Sequence, residues 1–275
     1  MTPAPDRYAV IGHPVGHSRS PWIHAQFAQQ TGELLSYEAL DIAPADLPAR
    51  LREFFADGGL GLNVTVPHKQ TVLPLLDELS EPARLAGAVN VITRAQDGRL
   101  RGDNTDGSGF TRDLTYNMGF MVTGQRVLIL GAGGAARGLM APMLALAPAE
   151  LVIVNRSAER AVQLARDFAA LGTVRAGGFD QLGANPFELI INATAAGLEG
   201  ELPPLPVPVL ESATVCYDLV YAAAGATPFV RWARQHGVPR CVDGTGMLVE
   251  QAADSFEIWR GLRPATASVL AALAA

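Results

Sequence analysis

The sequence predicts an α/β protein of two domains, the first with a mostly parallel sheet. Three observations carry this. Short apolar runs alternate with longer amphipathic stretches along most of the 275 residues, the pattern of strands connected by helices. The alternation falls into two series, the second starting after Gly124. That second series opens on VLIL (127–130), which runs straight into GAGGAAR (131–137), glycines placed where a strand hands over to a helix.

The elements follow in order. YAVIG (8–12) reads as a buried strand, and Ser20-Pro21 opens a helix that Gly32 ends, with Ser as cap and Pro at the first helical position. YEALDI (37–42) is a strand, 46–56 a helix, and LNVTV (62–66) a strand stopped by Pro67, with a helix beginning near His68 or Lys69. VNVITRAQDGRLRGDN (89–104) reads as a hairpin turning at Asp97-Gly98. In the second series, strands are expected at VLIL, LVIVN (151–155), ELIINAT (188–194), TVCYDLVY (214–221) and PRCVDG (239–244). Helices are expected from the glycines to about Leu146, over 157–171 and over 228–237. Two helices, 247–261 and 265–274, close the chain, and spacing alone leaves open which domain they join. The natural boundary lies near residue 105, where the hairpin gives way to a helix starting at Asp106.

Composition excludes several classes. Hydrophobic residues make up 49% and charged residues 17%, enough apolar content for a sizeable core. The net charge is −6 and the basic residues are scattered, unlike the footprint of a nucleic-acid binder or a polybasic membrane segment. Cys216 and Cys241 form no CxxC and no metal spacing, and read as ordinary reduced thiols. MTPAPDRYAV has no signal-peptide pattern and no apolar run approaches a membrane span. A cytoplasmic location follows as the expectation, with small-molecule partners, no metal, and a monomer or homodimer.

Gly131-x-Gly133-x-x-Ala136 matches the dinucleotide fingerprint in its Gly/Ala form, so the second domain is expected to be Rossmann-like. Gly131 permits the tight turn, Gly133 lets backbone approach a pyrophosphate, and the helix N-terminus offers unpaired N–H groups. At the end of the next strand an NAD-binding protein usually carries Asp or Glu. This chain has Asn155, then Arg156 and Ser157, with Arg160 one turn on. No carboxylate occupies that strand end to repel a 2′-phosphate, and two guanidiniums can grip one. The alternative for Arg160 is a place on a solvated helix face. Arg156 at the strand tip is harder to explain that way, and the pair reads as NADP selectivity.

Lys69, in NVTVPHK (63–69), is the only lysine among 21 basic residues. Arg stays protonated and is a poor proton donor, whereas Lys can be tuned by burial and neighbours. Lys69 follows a strand and Pro67, at the end of the sheet where α/β proteins bind ligands. Asn63 and Thr65 alternate on that strand and share one polar face. Asp106, in GDNTDG (102–107), is the candidate carboxylate partner, though a lone Asp at a helix start is also an N-cap. GHSRSP (16–21) adds the hydroxyls of Ser18 and Ser20, suited to a small carboxylate. Ser20 is also explained as a helix cap, and Ser18 has no such local role.

GHPVGHSRSP, NVTVPHK, AGAVN, GDNTDG, GAGGAAR, NRSAER, NAT and DGTGMLVEQAA occur here in this order. Together they resemble the shikimate dehydrogenases over about residues 8 to 262. That resemblance implies NADPH-dependent, reversible reduction of 3-dehydroshikimate to shikimate in aromatic amino-acid biosynthesis. It implies substrate contacts from Ser18, Ser20, Asn63, Thr65, Asn90, Asp106, Tyr221 and Gln251, with Lys69 and Asp106 catalytic. It implies NADP contacts from Gly131, Ala132, Gly133, Gly134, Ala135, Asn155, Arg156, Ser157, Arg160, Thr194, Leu219, Gly244 and Met247, and from Glu81. It also implies a substrate domain of residues 1–105 completed by helices 248–275, an NADP domain of 106–247, and a nicotinamide at the cleft where the domains meet. The chain departs from the family pattern at Ser157, where Thr is common, at His68, where an aromatic is frequent, and in the short AAAGA stretch after Tyr221. Related enzymes acting on quinate or an amino-substituted shikimate remain alternatives, as does a non-catalytic metabolite sensor.

Overall fold

The computed structural model describes residues 4–183, 185–194, 201–211, 214–222 and 225–274. The chain forms two compact units, Met1–Gly109 with Leu248–Ala275, and Phe110–Met247. The division falls past residue 105, so Asp106 belongs to the same unit as Lys69.

The first unit is built on a six-stranded sheet. Its elements are β1 (Asp6–Gly12), α1 (Ser20–Thr31), β2 (Leu35–Asp41), α2 (Leu47–Ala56), β3 (Gly59–Val64), α3 (His68–Thr71), β4 (Glu78–Leu79), α4 (Glu81–Ala86), β5 (Val91–Arg94), β6 (Leu100–Asp103) and the start of α5 (Asp106–Arg112). The spatial order is β2-β1-β3-β5-β6-β4. β1 runs parallel to β2 and β3, while β5 is antiparallel to β3 and β6. Side chains alternate along β3. Leu62 and Val64 join Leu51, Phe54 and Phe55 of α2 in one apolar cluster. The opposite cluster is Ile23 and Phe27 of α1 with Val249, Ala252 and Phe256 of a late helix and Val269 of the last one. Covered on both faces, β3 is almost wholly buried, and its polar Asn63 is buried with it.

The second unit carries β7 (Arg126–Leu130), α6 (Gly134–Ala145), β8 (Glu150–Val154), α7 (Ala158–Asp167), β9 (Arg175–Gly177), β10 (Leu189–Asn192), β11 (Val215–Asp218), α8 (Pro228–Gln235) and β12 (Arg240–Val242). The strands are ordered β12-β11-β10-β7-β8-β9, every neighbour parallel. The order reverses at β7, the switch point where such sheets bind ligands at their carboxyl ends. α9 (Thr245–Arg260) and α10 (Ala267–Ala274) end the chain.

Some expectations shift. LNVTV ends as a strand at Val64, although the Thr65 N–H still donates to the Ile11 carbonyl at 2.9 Å. The helix expected over 157–171 stops at Asp167. β4 and β9, two and three residues long, are too short to show a period in sequence.

Candidate active site

The first unit gathers most of the polar residues singled out above. Past β3 the chain runs through Thr65, Val66 and Pro67 into α3, whose first residue, His68, is buried with its Nε2 2.7 Å from the Ile42 carbonyl. That contact anchors the turn bearing Lys69. The Lys69 Nζ donates to Asp106 Oδ2 at 2.6 Å. The two side chains are 29% and 15% exposed, open enough to meet a ligand yet shielded enough for their charges to act strongly.

Asp106 does not cap its helix through its side chain. The Asn104 Oδ1 accepts the Asp106 N–H at 3.0 Å, which leaves the carboxylate to Lys69 and to Asn90, whose Nδ2 donates to Oδ1 at 3.0 Å. Asn90 is a buried hub: its Oδ1 accepts from the Thr105 N–H at 2.8 Å, and its Nδ2 lies 3.2 Å from Gln251 Oε1. Gln251 turns its Nε2 to the Leu248 carbonyl at 2.8 Å. α9 can come this close because Gly109 has no side chain: a Cβ there would lie 2.6 Å from the Gln251 backbone nitrogen. Lys69 keeps two N–H donors, Gln251 one, and the Asp106 oxygens keep lone pairs, an array suited to hydroxyls and a carbonyl on a small ring. Thr65 is half-buried, with no side-chain hydrogen bond among the described residues.

The two serines exchange the local roles read from the sequence. α1 starts at Ser20 with no side-chain cap, while the Ser18 Oγ accepts the Ser20 N–H at 3.2 Å. Ser18 thus closes the turn ahead of the helix. Its hydroxyl proton remains available. Glu81 opens α4 as an exposed residue in the first unit. A carboxylate in the first turn of a helix is favourable there without any ligand.

In the second unit the glycine turn is shaped by backbone. Gly131 has φ +103°, and a Cβ there would meet the Ala193 carbonyl at 3.0 Å. Gly133 precedes α6 and has open space where its side chain would be. Ala136 is fully buried. The amides of Gly134, Ala135 and Ala136 begin a 12-residue helix, a helix start of the kind that can receive phosphate charge. Past β8, the Asn155 Nδ2 donates to the Ser157 carbonyl at 3.0 Å. Arg156 and Arg160 are exposed and make no ion pair among the described residues. A 2′-phosphate would find two unengaged guanidiniums there. One feature was missed from sequence: the Ser157 Oγ donates to Glu159 Oε2 at 2.9 Å, so a carboxylate does lie within one turn of that site.

Thr194, Leu219, Gly244 and Met247 stand on a buried scaffold that no sequence signal announced. Asn192 and Asp218 end adjacent strands and are fully buried. The Thr194 N–H and Oγ1 both donate to Asn192 Oδ1, at 3.2 and 2.7 Å. Asn192 Nδ2 donates to Asp218 Oδ1 at 3.0 Å, and the Thr227 Oγ1 to Asp218 Oδ2 at 2.6 Å. Burial pushes the Asp218 carboxyl above its ordinary range, with Thr227, Val220 and Asn192 opposing. A Cβ at Gly244 would lie 2.3 Å from the Leu219 carbonyl. The Tyr217 hydroxyl donates to Asp113 at 2.6 Å and accepts from the Met247 N–H at 3.2 Å. Tyr221 is half-buried past β11. Residues 223–224 of AAAGA lie outside the described residues.

Among the described residues no group of three or more His, Cys, Asp or Glu is arranged to hold a metal ion, and no helix is long and apolar enough to cross a membrane.

Family models match three stretches: the shikimate dehydrogenase substrate binding domain over residues 10–92, shikimate/quinate 5-dehydrogenase over 115–198, and the shikimate 5′-dehydrogenase C-terminal domain over 244–274. The shikimate dehydrogenase (NADP(+)) of Alkalilimnicola ehrlichii is 53% identical, over 98% of each chain. The crystal structure of shikimate 5-dehydrogenase from Thermus thermophilus with NADP(H) and shikimate superposes with a TM-score of 0.86 at 36% identity, covering 97% of this chain and 98% of that one. A 5-ketofructose reductase from Gluconobacter also superposes at 0.86, with 31% identity, over 98% of each chain. By the extent and identity of these matches, this chain belongs to the shikimate dehydrogenase family.

Proposed function

We propose that the chain is an NADP-dependent oxidoreductase that interconverts 3-dehydroshikimate and shikimate, a step toward the aromatic amino acids. The fold alone does not select this substrate, since a ketofructose reductase shares it. The observation that carries the reading is the Lys69–Asp106 pair at 2.6 Å, joined through Asn90 to Gln251. Such a cluster offers a charged proton donor and several fixed hydrogen-bonding groups to an oxygen-rich ring.

In this reading the first unit binds substrate, completed by the C-terminal helices, and the second binds NADP. The serine hydroxyls of Ser18 and Ser20, with Tyr221, receive the substrate carboxylate. Asn63, Thr65, Asn90, Asp106 and Gln251 take the ring oxygens. Gly131 to Ala135 cradle the pyrophosphate; Asn155, Arg156, Ser157 and Arg160 take the adenosine end. Thr194, Leu219, Gly244 and Met247 border the nicotinamide, and Glu81 is a weaker cofactor contact. The bound cofactor supplies hydride to the C3 carbonyl carbon. Lys69 neutralises the negative charge that grows on the carbonyl oxygen and gives it a proton. Asp106 holds Lys69 in place and accepts from a neighbouring ring hydroxyl. In the reverse direction Lys69 takes the hydroxyl proton.

The test is absorbance at the nicotinamide band with NADP+ and, in turn, shikimate and quinate. Rapid reduction with shikimate and little with quinate is the expected result. No reduction with shikimate overturns the reading, and faster reduction with quinate reassigns the substrate.

A further inference from the structure

The Tyr37 hydroxyl has no assigned part in the proposed function. Tyr37 lies on β2, the edge strand beside β1. Its hydroxyl donates to Asn63 Oδ1 at 2.7 Å. The phenol thus ends on Asn63, a residue that the proposed function gives to the ring oxygens of the substrate.

The Asn63 amide has no freedom to turn. Its Nδ2 donates to the Asn90 carbonyl at 3.1 Å and to the Ser255 Oγ at 2.9 Å, which uses both hydrogens. A flipped amide would set its oxygen against the Asn90 carbonyl, acceptor against acceptor. Oδ1 therefore faces Tyr37 and retains one lone pair. Burial holds the Tyr37 phenol well above its ordinary pKa, against a smaller pull from Ser20, so it stays a donor.

The ring is held from behind. His24 stacks on Tyr37 with centroids 4.2 Å apart and planes 6° from parallel. Phe27, Phe256 and Trp259 surround His24. It is fully buried, and neither ring nitrogen has a hydrogen-bond partner among the described residues. A histidine placed this way contributes a flat apolar face and does not compete for the phenol.

We propose that Tyr37 is a positioning residue for the substrate: its hydroxyl, with the ring seated on His24, holds the Asn63 amide in place so that the remaining Oδ1 lone pair faces one fixed direction. This rests on the shikimate reading above. An aspect specific to it is that loss of the hydroxyl disturbs substrate and not cofactor.

The experiment compares Tyr37→Phe with wild type in steady-state oxidation of shikimate by NADP+. The shikimate KM is expected to rise about tenfold, with kcat within about threefold and the NADP+ KM unchanged, since one hydrogen bond in a polar site is of that order. Adding Tyr37→Phe to Asn63→Ala should raise the KM by less than about twofold more, because the phenol acts through that amide. An unchanged shikimate KM in Tyr37→Phe, or equal rises in both KM values, overturns the role. Should Tyr37→Phe fail to fold, His24→Ala and His24→Phe decide: Ala is expected to raise the shikimate KM and Phe to restore it within about twofold. His24→Ala with a wild-type shikimate KM overturns the role. A wild type that never reduces NADP+ with shikimate overturns the assigned reaction and this role with it. An active wild type with an indifferent Tyr37→Phe overturns this role alone.

Discussion

The two units prepare for their ligands by different means. In the first, Lys69, Asp106, Asn90 and Gln251 are linked side chain to side chain over distances of 2.6 to 3.2 Å. In the second, the Gly131–Ala135 turn is made of backbone, with space where Gly133 lacks a side chain and a helix N-terminus behind it. A site of side chains recognises a particular arrangement of oxygens and can move a proton. A site of backbone amides recognises phosphate charge and little else. In the proposed function, one chain therefore places chemistry in one unit and generic anion binding in the other.

Four substitutions test that contrast, in falling order of effect. Lys69→Ala should lower kcat/KM for shikimate by about a thousandfold, about 4 kcal/mol of transition-state stabilisation. NADPH binding, followed by fluorescence titration, should stay within about twofold. Retained turnover would remove the chemistry from the first unit.

The second concerns stability in acid. Burial drives His24 down to about 3, against a smaller opposing effect of the Asn63 amide. In the unfolded chain a histidine titrates near 6.5. The folded state therefore refuses a proton that the unfolded state accepts, and stability falls as pH drops below about 6.5 toward 3. Above about 6.5 this contribution is complete. His24→Phe should make chemical denaturation midpoints flatter between pH 6.5 and 4.5, sparing on the order of 2–3 kcal/mol over that range. Identical slopes in both proteins would mean that His24 takes up a proton when folded.

Gly131→Ala probes the backbone site. A side chain at φ +103° with the Ala193 carbonyl 3.0 Å away should cost about 1–3 kcal/mol and weaken NADPH binding, seen as a lower thermal midpoint and a raised NADPH KM. The shikimate KM should change far less. The smallest effect is expected from Arg156→Ala: an NADPH KM raised about tenfold with the NADH KM unchanged, as loss of one charged contact to a 2′-phosphate implies. Equal changes for both cofactors would show that Arg156 reads something other than that phosphate.

Both candidate sites could be read from sequence because each proposed role rests on a chemical restriction that shows in residue type. A lone lysine in a chain that otherwise uses Arg draws attention to Lys69, and the proposed function asks there for a cation that can give up a proton. Glycines between a strand and a helix mark a place where a side chain is excluded. The helper residues left no such mark. Asn192, Asp218 and Thr227 are common types whose significance comes from being buried together. The cap expected of Ser20 falls instead to Ser18, because the course of the loop decides which oxygen faces the open N–H. Glu159 was passed over because it lies two residues beyond Ser157 on a polar helix, a spacing that says nothing until the helix start is known.

Periodicity and turn residues are local properties, so the sequence by itself determined the α/β class, most strand and helix positions, the glycine turn and the special standing of Lys69. Tertiary structure alone decided what lies against what: that Asp106 reaches Lys69 across 37 positions and Gln251 reaches Asn90 across 161, and that the Tyr37 hydroxyl ends on Asn63. Those pairings depend on strand order and on which sheet face a helix covers. Both are set by burying apolar surface over the whole domain, a sum that no short stretch of sequence contains.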